Sequence, residues 1–299
     1  MRVRVCFSIA VALLAASAAL AAEPAVPAME RVPERRAGEG AGPYPKLVIR
    51  GAMLIDGSGA PPRGPVDIVV AGNRIVSVGV VGTPGLPLEG NREPRDAARE
   101  IDASGMYVMP GMVDVHGHNG DPAKAPNASY GYKLWLAHGV TTVRGVGFDG
   151  GPADTSLDDK RRSAANRIVA PRLFAYAVLG DVWGAGAVET PEQARAWVRW
   201  AAKAGYDGIK LFNVQPKPVT AAALDEAGKL GLGSVAHLGQ SGVGEVNARV
   251  AGQLGMGTVT HFYGHFESLL SGGALPRYPA GYNMVYEQDR FFEVTQLAD

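Results

Sequence analysis

Residues 105–120 read GMYVMPGMVDVHGHNG and carry two of the chain's six histidines, His116 and His118, one residue apart. Side chains at i and i+2 of an extended strand share a face. If a strand through MVDV runs on past Val115, the two imidazoles therefore project together from its C-terminal end. Two imidazoles so placed can chelate one metal ion, although a pair of ordinary loop histidines has the same spacing.

Other residues with metal-binding chemistry stand at comparable places. Lys210 lies within the apolar run GIKLF (208–212), where burying an ammonium is costly. His237 closes GSVAH (233–237) and His261 closes TVTH (258–261). The single cysteine, Cys6, falls in the N-terminal apolar segment, so a metal bound elsewhere must rest on histidine, carboxylate or a less common ligand.

The elements that must position these residues are legible as a change of texture after Pro110. Apolar runs at 112–116, 140–145, 172–179, 208–212, 233–237 and 258–261 alternate with helical stretches at 129–139, 156–168, 190–205, 220–231 and 244–255. That alternation is the pattern of βα units around a parallel sheet. Thr190-Pro191-Glu192-Gln193 is a helix start, and Gly139, Gly205, Gly231 and Gly255 stand where left-handed caps end helices. Ahead of them, the short β-rich runs 46–55, 66–72, 73–79 and 106–109, separated by Asp56-Gly57 and Gly72-Asn73, predict a small antiparallel sheet.

Residues 22–45, rich in Pro, Gly, Glu and Arg with no apolar period, are expected to be a disordered tether. Residues 1–21 open MRVR, continue apolar and reach Ala19-Leu20-Ala21, the form of an export signal; a periplasmic or secreted protein is expected, with no membrane association once the signal is cleaved. Lys+Arg and Asp+Glu are both 29, so no basic field exists to attract nucleic acid or anionic lipid. With 46% apolar residues the chain can bury a large core.

The runs DASGMYVMPGMVDVHGH (102–118), HGVTTVRGVG (138–147) and DGIKLF (207–212), together with His237 and His261, resemble the metal-dependent amidohydrolase superfamily over roughly residues 46–299. HFYGHFESLL (261–270) is similar to its imidazolonepropionase-like and prolidase-like branch. The resemblance implies an α/β fold: a TIM-like (β/α) barrel, here incomplete with about six of eight βα units, and a small N-terminal β-sandwich domain. The domains would be the signal (1–21), the linker (22–45), the first part of the small β domain (46–108) and the barrel (109–299).

It further implies two divalent metal ions, commonly zinc. His116 and His118 match the first ion's pair, Lys210 the bridge, and His237 and His261 the ligands of the second. A lysine at that place resembles the members in which it is carboxylated, since burial favours a neutral amine that can capture carbon dioxide. The implied reaction is hydrolysis of a carbon–nitrogen bond in a small amide or dipeptide, by a hydroxide shared between the metals.

The proton-shuttling aspartate of strand eight has no counterpart: at roughly 29 residues per strand-to-strand step it falls beyond residue 299. No catalytic residue is identified, and the chain is expected to be C-terminally truncated and weak or inactive alone. Tyr263 and His265 are candidates to face substrate, with plain packing as the other reading. A mononuclear deaminase and a non-catalytic metal-binding remnant are the alternatives, the first disfavoured by Lys210. A homo-oligomer of the complete form is compatible with these features. His138 and Asp114 are read as structural, and Arg144 resembles the arginine of the family's second strand.

Overall fold

A computed structural model describes residues 29–90, 92–118, 124–146, 155–213, 215–239, 242–243 and 245–269. The export signal and everything beyond residue 269 lie outside the described residues.

Three consecutive strands, β1 (Lys46–Leu54), β2 (Arg63–Ala71) and β3 (Arg74–Val80), form an antiparallel meander. Gly72, at φ 57°, supplies the left-handed turn between the last two. Two short strands then return alongside β1 in the parallel sense, β4 (Arg99–Asp102) and β5 (Tyr107–Val108). Among the described residues the small domain is therefore one five-stranded sheet, its first three strands antiparallel as expected, with β4 and β5 added to β1 in the parallel sense. The reason lies in the long connection after β3, which carries the chain back across the sheet before β4. Arg50 holds that connection by donating to the carbonyls of Glu93 and Pro94, both at 3.0 Å, and pairs with Glu100 at 2.6 Å. Ala52, Val66, Ile68 and Ala103 form this sheet's core.

The second sheet is parallel throughout. Its six strands lie in chain order: β6 (Met112–His118), β7 (Val140–Val146), β8 (Arg172–Val178), β9 (Gly208–Asn213), β10 (Gly233–Leu238) and β11 (Thr258–Thr260). Helices α1 (Ser129–Ala137), α2 (Thr155–Ala164), α3 (Pro191–Ala204), α4 (Lys217–Lys229) and α5 (Ala248–Gln253) connect them. Thr190 closes a capping box with Gln193, and Gly139, Gly205, Gly231 and Gly255 all have positive φ, as the sequence predicts. The main core lies between sheet and helices: Trp197, Val198 and Ala201 of α3 and Val219 and Ala223 of α4 belong to one cluster with Ile209, Leu211 and Ala236.

The sheet is curled, which brings strands distant in its order together. Arg144 of β7 reaches across to Thr258 of β11, Nη1 to Oγ1 at 3.1 Å. Tyr176 fills the space between, lying so close to β9 and β10 that a Cβ on Gly208 would be 2.2 Å from its ring and one on Gly233 2.0 Å from its hydroxyl. These two glycines exist for that close approach. The architecture is a nearly closed barrel-like sheet of six βα-connected strands.

The segment 29–45 corrects an expectation. It has no regular helix or strand, yet it is not a free tether: Val32 is buried with Tyr132 and Ile168. Glu30 N–H donates to Pro126 O and Arg35 N–H to Arg167 O, both at 2.7 Å, while Glu34 pairs with Arg162 and Arg167. Composition forecast the missing periodicity but not the arginines of α2 and its C-terminal flank that hold the segment down.

Candidate metal centre

β6 positions the two histidines through a defect in its pairing. Asp114 is opposite Val143 and Gly117 opposite Gly145, so β6 contains one residue more than β7 over this stretch, a bulge at the mouth of the sheet. Unbroken alternation would place Asp114 on the same face as His116 and His118. The bulge instead turns Asp114 toward α1, where it accepts from Trp135 Nε1 at 3.2 Å and from the N–H of His116 at 2.9 Å. Gly117 faces the same helix. Asp114 thus faces away from the two imidazoles because of the bulge, not because of strand alternation.

His116 and His118 have ring centroids 5.1 Å apart, His116 and His261 5.4 Å, and His237 and His261 4.7 Å. Four imidazoles from β6, β10 and the residue after β11 thus form a chain of neighbours across the mouth of the curled sheet. Two imidazoles on one tetrahedral zinc, with bonds of about 2.0–2.1 Å, have centroids roughly 5 Å apart, the spacing found here. β11 ends at Thr260, so His261 is not a strand residue as expected. It has φ 63°, an uncommon conformation for a non-glycine residue and one that clusters at functional sites.

Lys210 of β9 is 1% exposed, with Nζ 5.9 Å from the ring centre of Phe212, which in turn lies 4.9 Å from His237. Phe212 was not singled out in the sequence. The signal was available, because it stands two residues from Lys210 and shares its face. Tyr263 is buried at 4.9 Å from His237 and 6.1 Å from His261, joining the cluster. His265 does not join it: the residue is exposed, and no ring contact links it to the other histidines among the described residues. Its backbone is held in a turn instead, with N–H donating to Phe262 O and C=O accepting from Ser268. His138 caps α1, its Nδ1 2.9 Å from Leu134 O.

The electrostatics favour neutral rings at His116 and His261. Burial, reinforced by Lys210, His118, His261 and Arg144, pushes the pKa of His116 down to about 3. Burial also lowers that of His261, with Lys210 and His118 adding to it. Both ring nitrogens of His116 are buried without a hydrogen-bond partner. A buried polar atom so left costs free energy unless something satisfies it, and a neutral imidazole with free nitrogens is a ligand for a divalent cation. The donor set fits such an ion. Even so, among the described residues no three His, Cys, Asp or Glu side chains close around one point, so the rings form a gathering and not a finished cage.

No protein-family model matches the chain. Among curated proteins, it is 38% identical over 78 residues to adenine deaminase 2 of Agrobacterium fabrum, covering 26% of this chain and 13% of the relative. It is 32% identical over 152 residues to N-acyl-D-aspartate deacylase of Alcaligenes xylosoxydans xylosoxydans, covering 48% and 26%. The chain matches about a quarter or less of the length of these relatives. Among solved structures, a Xaa-Pro dipeptidase with methionine bound in its active site superposes with a TM-score of 0.54 at 23% identity, over 72% of this chain and 61% of the dipeptidase. That likeness, at 23% identity, concerns the fold. Over part of its length in sequence, and in its fold, the chain is similar to enzymes of the amidohydrolase kind.

Proposed function

We propose that this chain carries the metal-binding part of a hydrolase that cleaves carbon–nitrogen bonds in small amides, with N-acyl amino acids and dipeptides as the substrate class. The observation that carries the reading is His116, with both ring nitrogens buried and unsatisfied inside a run of four imidazoles beside the buried Lys210. The deacylase and dipeptidase likenesses support this bond type.

In this reading His116 and His118 would hold one divalent ion and His237 and His261 the other, zinc by preference, and Lys210, if carboxylated, would be their shared ligand. When bound, the ions polarise a carbonyl and acidify water. The chain's own residues do the rest. Asp114 fixes the backbone at His116, and its second oxygen is fixed by Trp135. Tyr263 and Phe212 flank His237 and restrict its ring. Tyr263 is the residue we assign to the substrate side; His265 is left in its turn.

The match to an adenine deaminase favours a second reading, a mononuclear deaminase. Metal content separates the two. Purified chain loaded with zinc and freed of excess is expected to retain two ions, and one ion would support the deaminase. No retained ion would leave a non-catalytic remnant. Among the described residues no three His, Cys, Asp or Glu side chains close around one point, so the chain alone is expected to hydrolyse N-acyl amino acids and dipeptides weakly or not at all. Vigorous turnover by it would overturn that part. The same proposal includes export: protein recovered from the periplasm should begin after residue 21, and retention of residues 1–21 in the cytoplasm would refute it.

A further inference from the structure

Arg144 lies on β7, which carries no histidine itself, and its guanidinium contacts both the neighbouring edge strand that bears His116 and the opposite edge strand that leads into His261. Nε donates to the carbonyl of Val115 at 2.6 Å, the residue before His116 and within the bulged stretch of β6. Nη1 donates to Oγ1 of Thr258 at 3.1 Å, on the strand that leads into His261. The guanidinium carbon sits 5.4 Å from the ring centre of Tyr176. That ring is itself locked over Gly208 and Gly233, where any Cβ would collide with it.

In the described sheet β6 and β11 are the two edge strands and share no backbone ladder. Without a link, the distance between them would depend on the accumulated curl of four intervening strands. The planar fork of an arginine can fix two acceptors in one geometry, which a lysine cannot.

We infer that Arg144 is a positioning residue: by bridging Val115 and Thr258 it sets the separation of His116 and His261, and so the ability of the two halves of the centre to act as one. This rests on the metal-centre reading above for its consequence, but the bridge is testable without any metal. The bulge at Val115–His116 gives it a specific task. A bulged segment has lost ladder bonds on that strand, and the carbonyl held by Arg144 belongs to it.

The test uses the full chain with 13C-labelled histidine. Six histidines give a spectrum sparse enough to assign. In metal-free wild type, the ring protons of His116 and His261 should show a cross-relaxation peak, as centroids 5.4 Å apart require. Thr258→Val removes the hydroxyl at nearly constant volume and should abolish or strongly weaken that peak, while Thr258→Ser should retain it. Arg144→Lys should behave like Thr258→Val. Cobalt(II) is then added. If the centre binds metal, Thr258→Val and Arg144→Lys should lose about 10–100-fold in affinity with an altered visible spectrum, and Thr258→Ser should match wild type.

Survival of the His116–His261 peak in both Thr258→Val and Arg144→Lys would overturn the bridge, whatever the metal does. Loss of the peak in a chain that takes up no cobalt would leave the bridge standing and refute the metal reading. If Arg144→Lys fails to fold, the Thr258 pair decides alone, because Val and Ser differ there chiefly in the hydroxyl.

Discussion

Gly117 and Trp135 compete for one space: a Cβ on the glycine between the two histidines would stand 2.7 Å from Cζ2 of the indole, and 2.7 Å from Cγ1 of Val143. The small residue in His-Gly-His is thus required by helix α1 packing against β6, and the indole it admits is the one that holds Asp114.

Gly117→Ala is therefore expected to destabilise by overpacking, about 1–3 kcal/mol, and to disturb the Trp135–Asp114 bond. Because Asp114 also fixes the backbone at His116, the change should lower metal retention more than its cost in stability predicts. Thermal melting and zinc content of the same preparation measure both. Full zinc retention in a destabilised variant would show that the indole only packs.

Lys210→Met gives the opposite split. The lysine is 1% exposed, and replacing a buried charge by an apolar side chain of similar length is often neutral or stabilising. The variant should melt no lower than wild type within a few degrees, yet retain fewer metal ions. A large fall in melting temperature with unchanged metal content would make Lys210 a structural residue.

Much of this was legible from the sequence, for a physical reason. The six barrel strands are short apolar runs, and four of the five helices between them end at a glycine stop, so β6 to β11 fall within a residue or two of expectation. β4, with the sequence REID and three of four residues exposed, has no such pattern and is a strand only because β1 pairs with it. The convergence of His116, His237 and His261 follows from their shared place at strand ends. The turn of Asp114 toward Trp135 does not, because it depends on a bulge that period-two reasoning excludes. Arg144 showed only as a familiar residue type; its two partners lie 29 and 114 residues away, and the second, on the opposite edge strand, appears only once the sheet curls.

Asp159 of α2 provides a pH test away from the metal centre. It is buried, accepts from the Tyr132 hydroxyl at 2.9 Å and lies 3.6 Å from Arg162. Burial pushes its pKa up to about 6, against the opposing pull of Tyr132 and Arg162. The native state therefore holds this proton more tightly than the unfolded chain, so stability falls as pH rises from about 4 through about 6, by roughly 3 kcal/mol at most. Asp159→Asn should flatten that part of the profile in urea titrations at stepped pH, and an unchanged slope would refute the assignment.

His116 should act with the reverse sign in the metal-free chain. Its pKa is pushed down to about 3, first by burial and then by Lys210, His118, His261 and Arg144, so the native state binds this proton more weakly than the unfolded chain. Between about 6.5 and 3 the unfolded state carries the extra proton, and stability drains away on acidification across that window. His116→Phe keeps a ring of similar breadth and removes the titration, so its acid transition should shift to lower pH while its stability above pH 7 changes less. Bound metal should protect wild type in the same window, since a ligated imidazole must release the ion before it can take the proton. The variant, lacking that ligand, should gain less from zinc. Equal protection by zinc in both proteins would place the ion somewhere other than at His116, and the orphaned nitrogens of that ring would then need a different partner.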